Sequence, residues 1–340
     1  MSLIWLDSFA YDDGSADAII NAKYDSSAFA DIILAAGRDG SSPVFRPATN
    51  SAELVKTVPT LSRYICGGAF KPSSSSNNAA LMRLTDLVGD QCTLTRHVGG
   101  QVSLSRGTLF TPANVIEVSP GSVMKLGVWS WVEMDVTIGN SGAAYVVRVN
   151  GVTVLNSTGD TQEQTSADID AVSWSGPGDW DCVYICDTVG SAPRNAMLGD
   201  FICSNLLPDG AGANTDFTPS AGSNYQAVDE TVPDNDTTYV ESSTNGHIDS
   251  YTFANVPSVT GGATPLGAQA NVYARNNGGS SNFRNKTRLS ATYYNGATTH
   301  ATAGSYTFFH EIWGQNPDAG PGEWTDTTLN AAEFGFEKVA

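Results

Sequence analysis

From residue 84 to residue 203 the chain is written in short runs in which apolar and polar residues alternate, each run cut off by Gly, Asn or Asp. "LTDLVGDQCTLTRHVGGQVSLSRGTLF", "WSWVEMDVTIGNSGAAYVVRVNG", "IDAVSWSG", "DCVYICD" and "MLGDFICSNLL" follow one another in this way. Alternation with a period of two turns one side of an extended chain toward a core and the other toward water, and the turn residues bring each strand back beside the last. No helical spacing competes, so the pattern predicts a β-sandwich.

The pattern breaks near residue 206. "LLPDGAGANTDFTPSAGSNYQAVDETVPDNDTTYV" is rich in Pro, Gly, Asn and Asp and has no apolar period, which predicts a long surface connection. Strand-like runs then resume in "DSYTFANV", "PLGAQANVYAR", "NKTRLSATYY", "SYTFFHEIW" and "AAEFGFEKV". In the second of these Leu266, Ala268, Ala270, Val272 and Ala274 alternate with Gln269, Asn271, Tyr273 and Arg275, giving one packed face and one wet face. A chain of 340 residues has room for two cores. The expected organisation is all-β: one sandwich domain over residues 1–205, and a second over 206–340 that begins with the connecting segment. The exception is "NSAELVKTVPTL" at 50–61, where Asn50 or Ser51 is placed to cap a short helical turn.

Thirty-five acidic residues against 17 basic ones leave a formal charge of −18, which repels a phosphate backbone and argues against nucleic acid as a partner. The start, "MSLIWLDSFAYDDG", lacks a basic leader, and no run approaches the roughly 20 apolar residues that span a bilayer. The expectation is synthesis in a cytoplasm, without a signal peptide or a membrane. Five cysteines at irregular positions do not form a disulfide framework. Cys182 and Cys186 of "DCVYIC" sit on one strand with Cα atoms roughly 13 Å apart, too far for a bridge. Zinc would need two further ligands at usable spacing, so neither metal nor cofactor is expected.

The run 129–151 carries two acids on one strand. Val132, Met134, Val136 and Ile138 share a face, while Trp131, Glu133, Asp135 and Thr137 share the opposite one, which points the acids away from the core. Arg148 on the returning strand is placed for a cross-strand ion pair with them. Trp131, Glu133, Asp135 and Arg148 therefore form the candidate exposed face, the place where a glycan would make contact.

The order of "LSRGTLF", the Trp-led strand, "VRVNG", "DCVYICD" and "LGDFICSNLLPDG" resembles the laminin-G or concanavalin A-like jelly roll, in the version found in virion proteins of tailed phages. There a lectin-like domain precedes segments similar to "YQAVDETVPDNDTTYVESSTNGHIDSYTFANVP" and "EIWGQNPDAGPGEWTDTTLNAAEFGFEKV", so the likeness runs from about residue 80 to the end, with a weaker echo in "IWLDSFAYDD". It implies a concanavalin A-like jelly roll for the first domain and a structural place in the virion.

Some members of the wider class are endoglucanases that present E-x-D-x-x-E along one strand. Glu133 and Asp135 match the first two positions, but Ile138 stands at the third, so the acid that would protonate the leaving oxygen is missing. "DID" at 168–170 and "DND" at 234–236 do not continue into a calcium loop and read as turns. His97, His247, His300 and His310 stand apart, and His310 beside Glu311 fits strand alternation. Trp129, Trp131, Trp174, Trp180, Trp313 and Trp324 are able to stack on sugars, although burial is the commoner fate of tryptophan. The expected function is that of a non-enzymatic virion protein, a capsid-decoration protein that docks to capsid or tail proteins and forms a homo-oligomer. The alternatives are a glycan- or receptor-binding module of a tail, neck or head fibre, and a glycan-cleaving enzyme.

Overall fold

The alternating runs do form strands. A computed structural model describes residues 3–10, 20, 22–25, 32–33, 37–38, 43–47, 52–74, 78–108, 113–257, 264–279, 281–320 and 322–340. The protein divides into two units, Met1–Cys203 and Ser204–Ala340. Both are built from antiparallel sheets, so the fold class is all-β.

The strands of the first unit are β1 (Leu3–Asp7), β2 (Ile32–Ile33), β3 (Val44–Phe45), β4 (Glu53–Leu61), β5 (Arg63–Pro72), β6 (Ala79–Thr85) and β7 (Asp90–Arg96). They continue as β8 (Val102–Arg106), β9 (Val115–Val118), β10 (Ser130–Thr137), β11 (Ala143–Val149), β12 (Val152–Gly159), β13 (Ile169–Ser175) and β14 (Gly178–Cys186). One sheet has the order β12-β11-β10-β5-β14-β3-β2, with β1 also paired to β14; the other has the order β4-β13-β6-β7-β8-β9. Sequential hairpins combined with long crossings between sheets make this a jelly-roll sandwich.

The inner faces meet over an aromatic and sulfur-rich core. Phe70 and Trp180 lie 4.7 Å apart between ring centres, and the Cys66 and Met82 sulfurs approach to 3.9 Å across the two sheets. Trp174 and Trp180 are fully buried, and the Trp180 indole donates to the Ser175 carbonyl at 2.8 Å. Trp5, Trp131, Trp313 and Trp324 are buried as well, which leaves Trp129 half-buried among the tryptophans.

Residues 53–61, expected to hold a helical turn, are instead strand β4, paired to β13 from Glu53↔Ser175 to Leu61↔Ile169. Val55, Thr57, Val58 and Thr60 are β-branched and suit a pleated edge, and β13 supplies the ladder partner that a local propensity estimate does not see. The proposed caps Asn50 and Ser51 lie outside the described residues.

The second unit contains β15 (Pro208–Thr215), β16 (Thr218–Pro219), β17 (Val240–Glu241), β18 (Ile248–Phe253), β19 (Ala268–Ala274), β20 (Ser281–Leu289), β21 (Thr292–Thr302), β22 (Thr307–Trp313) and β23 (Glu333–Lys338). Its main sheet has the order β15-β18-β23-β20-β21, accompanied by the pairs β19-β22 and β16-β17. Phe283 of the main sheet meets Phe309 of β22 edge-on at 5.2 Å, and Trp313, Trp324, Leu289 and Ala332 form a buried cluster against which Ala270 packs. β19 is half-buried along most of its length instead of splitting into a dry and a wet face.

β15 falls within the stretch read as a connection. Its sequence, PDGAGANT, is poor in strand formers, but small residues are what this edge requires. A Cβ on Gly212 would collide with Ser250 Oγ and stand 2.6 Å from Glu333 Oε2, so a larger residue would lift the edge off β18.

All five cysteines lie in the first unit as buried thiols, and burial pushes each above the ordinary value of 9.0. In the unfolded chain they ionise from about pH 9 upward while the folded thiols keep their protons, so stability present below pH 9 is lost as pH rises. Burial holds Lys23 and Lys56 below their ordinary 10.5, which gives the opposite sign, but they are two against five. The urea midpoint of the first unit, followed by tryptophan fluorescence, should therefore fall between pH 8 and pH 10, and replacing Cys66 and Cys186 by Ala should flatten that fall.

Candidate functional site

The outer face of the larger sheet in the first unit gathers acids, aromatic rings and a cation. Its centre depends on a missing side chain. Across three adjacent strands Glu133 of β10 pairs with Gly67 of β5, which pairs with Tyr184 of β14. A Cβ on Gly67 would stand 2.6 Å from the Val132 carbonyl and 2.8 Å from the Tyr184 ring. With none there, the Tyr184 hydroxyl reaches over β5 and donates to Glu133 Oε1 at 2.5 Å.

A bulge puts Tyr184 in position. The four residues of β14 from Asp181 to Tyr184 match three of β5 from Ala69 to Gly67, and Cys182 takes a φ of 51° to absorb the extra residue. Asp181 and Tyr184, an odd number of positions apart, thereby share the outer face.

Glu133 and Trp131 are 0% and 1% exposed. Their expected exposure is thus corrected: the face does point away from the sandwich core, but the segment following β14 lies over it. Gly199 N–H donates to Glu133 Oε1 at 2.9 Å, and Leu198 N–H to the Tyr184 hydroxyl at 3.3 Å. Phe201 meets the Trp131 and Tyr184 rings edge-on at 4.8 and 5.6 Å, while Trp131 and Tyr184 stack at 6.1 Å. The Arg38 guanidinium lies 5.3 Å from the Trp131 ring, donates to the Phe201 carbonyl at 3.1 Å and pairs with Asp200. Arg38 N–H donates to Asp181 at 2.8 Å.

The ion pair on this strand also differs from expectation. Arg148 stands opposite Glu133 in the ladder, yet the acid that is paired is Asp135, and its partner is Arg63 of β5 through two bonds of 2.8 and 2.7 Å. Asp135 and Arg148 are half-buried. Arg63 shares the outer face through the pairing Thr137↔Arg63, and its fork matches the carboxylate on both oxygens.

Chemically the cluster is a closed polar core. Burial first, and the Glu133 charge second, push the Tyr184 phenol well above its ordinary 10, which fixes it as a proton donor and not a base. Ile138, where a third acid would stand, is a buried apolar side chain. Glu133 Oε2 and Trp131 Nε1 are both buried without a hydrogen-bond partner. Among the described residues no group of three His, Cys, Asp or Glu side chains is placed to hold a metal, and no helix is long and apolar enough to cross a membrane. The acidic stretch 234–236 is a turn in which Asp234 accepts from Thr238 N–H at 3.1 Å and Asn235 takes a φ of 62°. Glu311 is buried and accepts from Ala297 N–H at 2.9 Å and from Thr298 N–H at 3.3 Å.

Tyr184, Arg38 and Phe201 are the members that the hairpin sequence does not reveal. A glycine pair on the central strand, "CGGA" at 66–69, is the signal that points to a close crossing.

Two outcomes follow. Gly67→Ala should destabilise the first unit by about 1–3 kcal/mol through overpacking, measured by urea unfolding. A double-mutant cycle on Glu133→Gln and Tyr184→Phe should give a coupling of about 0.5–3 kcal/mol, whereas a cycle on Glu133→Gln and Arg148→Ala should give a value near zero.

No family model matches the sequence, and no curated protein is significantly similar to it. Similar solved structures include a native heptameric SAP-like pentraxin from Limulus polyphemus, at 16% identity over 42% of this chain and 74% of that one, with a TM-score of 0.32. The galectin LEC-6 from Caenorhabditis elegans aligns at 10% identity over 42% of this chain and 94% of the galectin, with a TM-score of 0.30. An endo-β-1,4-glucuronan lyase from the fungus Trichoderma reesei aligns at 9% identity over 54% of this chain and 95% of the lyase, with a TM-score of 0.36. At these values the likeness is one of fold class alone.

Proposed function

We propose that the chain is a non-enzymatic structural protein of a tailed-phage virion, a capsid-decoration protein that works by protein–protein docking. The observation that carries the non-enzymatic reading is the closure of the outer face by the chain's own residues 198–203. Glu133 is covered and hydrogen-bonded, Asp135 is held by Arg63, and the nearby phenol is fixed in its protonated form. A retaining hydrolase needs two free carboxyl groups about 5 Å apart on either side of the scissile bond. A docking protein needs neither, since a well-packed apolar patch of standard size is enough for stable association. The virion reading is supported by the order of the short motifs from about residue 80 to the end.

A second reading, a glycan-binding module of a fibre, is favoured by one detail. Glu133 Oε2 and Trp131 Nε1, an acceptor and a donor beside stacked rings, are left without partners beneath residues 198–203. A sugar reaching them would first have to displace Phe201.

Quantitative mass spectrometry of purified particles against the major capsid protein tests the proposal. Hundreds of copies per particle are expected. A few tens would favour a tail or fibre place and the glycan reading, and absence from particles would overturn the virion role.

A further inference from the structure

We infer that the end of the first unit formed by the β7–β8, β9–β10 and β11–β12 connections is a self-association face, which seats the same end of a second copy of this chain. The inference rests on the docking role proposed above and gives that role a surface.

Strand register places these connections together. Ser130 pairs with Phe70, Val132 with Val149, Arg96 with Val102 and Ser103 with Val118, so the start of β10, the end of β11, the β7–β8 turn and the end of β9 all lie at one end. The β9–β10 connection ties the two sheets there: Gly127 N–H donates to the Pro72 carbonyl at 2.8 Å, and Met124 N–H to the Gly100 carbonyl at 2.9 Å.

Large apolar side chains project from this end. Val98, Val118, Leu126, Val128 and Val152 are 51%, 40%, 48%, 51% and 65% exposed, beside half-buried Trp129. Five of the nine large apolar side chains exposed among the described residues stand on the ordered turns of this end, whereas Leu87, Val88 and Val189 stand beside Asp86 and Asp187 at the other end.

Charge selects the occupant. None of the 35 acidic residues falls within 71–74, 96–103, 118–130, 149–153 or 175–178, the segments that build this end, whereas Lys71 and Lys125 do. The nearest acids are withdrawn: Asp179 is buried against Arg46 at 2.5 Å, and Glu117 is half-buried. The opposite end carries Asp86, Asp160, Glu163, Asp168 and Asp187 around its turns. Two copies of a chain with a formal charge of −18 repel each other, and a carboxylate-free apolar end is where they meet at least cost. Contact of like with like is a closed two-fold arrangement, the commonest form of oligomer.

Sedimentation equilibrium of the full chain tests this. The expected result is a concentration-dependent species of twice the 35.7 kDa chain mass, tightening as salt is raised because screening relieves the repulsion between copies. Leu126→Asp and Val152→Asp, on exposed turns, should each weaken the dimer about tenfold or more with the thermal transition unchanged. Leu87→Asp, 92% exposed at the opposite end, should leave it intact. A monomer at every concentration, or a dimer indifferent to both substitutions, overturns the inference. Particle loading of the wild-type chain, read separately, then decides the docking role: a monomer that still loads sustains docking without this face.

Discussion

The first unit turns on the close approach of β10 and β14 across a strand that has no side chain in the way. Because Gly67 leaves the space above β5 empty, Tyr184 and Glu133 meet directly, and the carboxylate becomes an anchor to which Gly199 N–H attaches. Residues 198–203 are then drawn onto the sheet, Phe201 packs edge-on against both Trp131 and Tyr184, and Arg38 closes over the indole. A carboxylate taken out of water destabilises a fold unless donors surround it. Here both donors, the Tyr184 hydroxyl and Gly199 N–H, come from chain 51 and 66 positions beyond Glu133, so the anchor also fixes where the chain runs after β14.

That arrangement separates what the sequence makes legible from what it does not. The alternation of Val132, Met134 and Val136 with Trp131, Glu133 and Asp135 places each residue on its face, and the structure agrees face by face. Alternation says which side of a sheet a residue occupies, but not what lies above that side. Glu133 reads as solvated because acids usually are, and its burial depends on residues some 65 positions later in the chain, on Gly199. The choice of Arg63 over Arg148 is lost for a related reason: both flank β10 in the ladder, and the winner is set by which guanidinium lies flat against Asp135.

The same limit appears at the two strands that local composition misjudges. Residues 53–61 have the look of a capped turn until β13 is laid beside them, and PDGAGANT looks like a linker until Ser250 and Glu333 are seen to leave no room for larger residues. In each case the partner strand decides, and the partner is distant in sequence. Short runs with a strong period and turn residues at both ends, such as those of β10 and β11, need no such help.

The order of the second unit's main sheet has a mechanical meaning. β15 and β23 both run antiparallel to β18, which lies between them, so they point the same way. The start of β15 at Pro208 and the end of β23 at Lys338 therefore sit at opposite ends of the sheet. Tension applied between those two points pulls the strands past one another lengthwise. The ladder bonds of β15 with β18 and of β18 with β23 are then loaded in shear and must give way together, where a peeling geometry would break them in succession. A unit threaded in this direction resists stretching far better than its modest edge strand, built of glycine and alanine, would suggest.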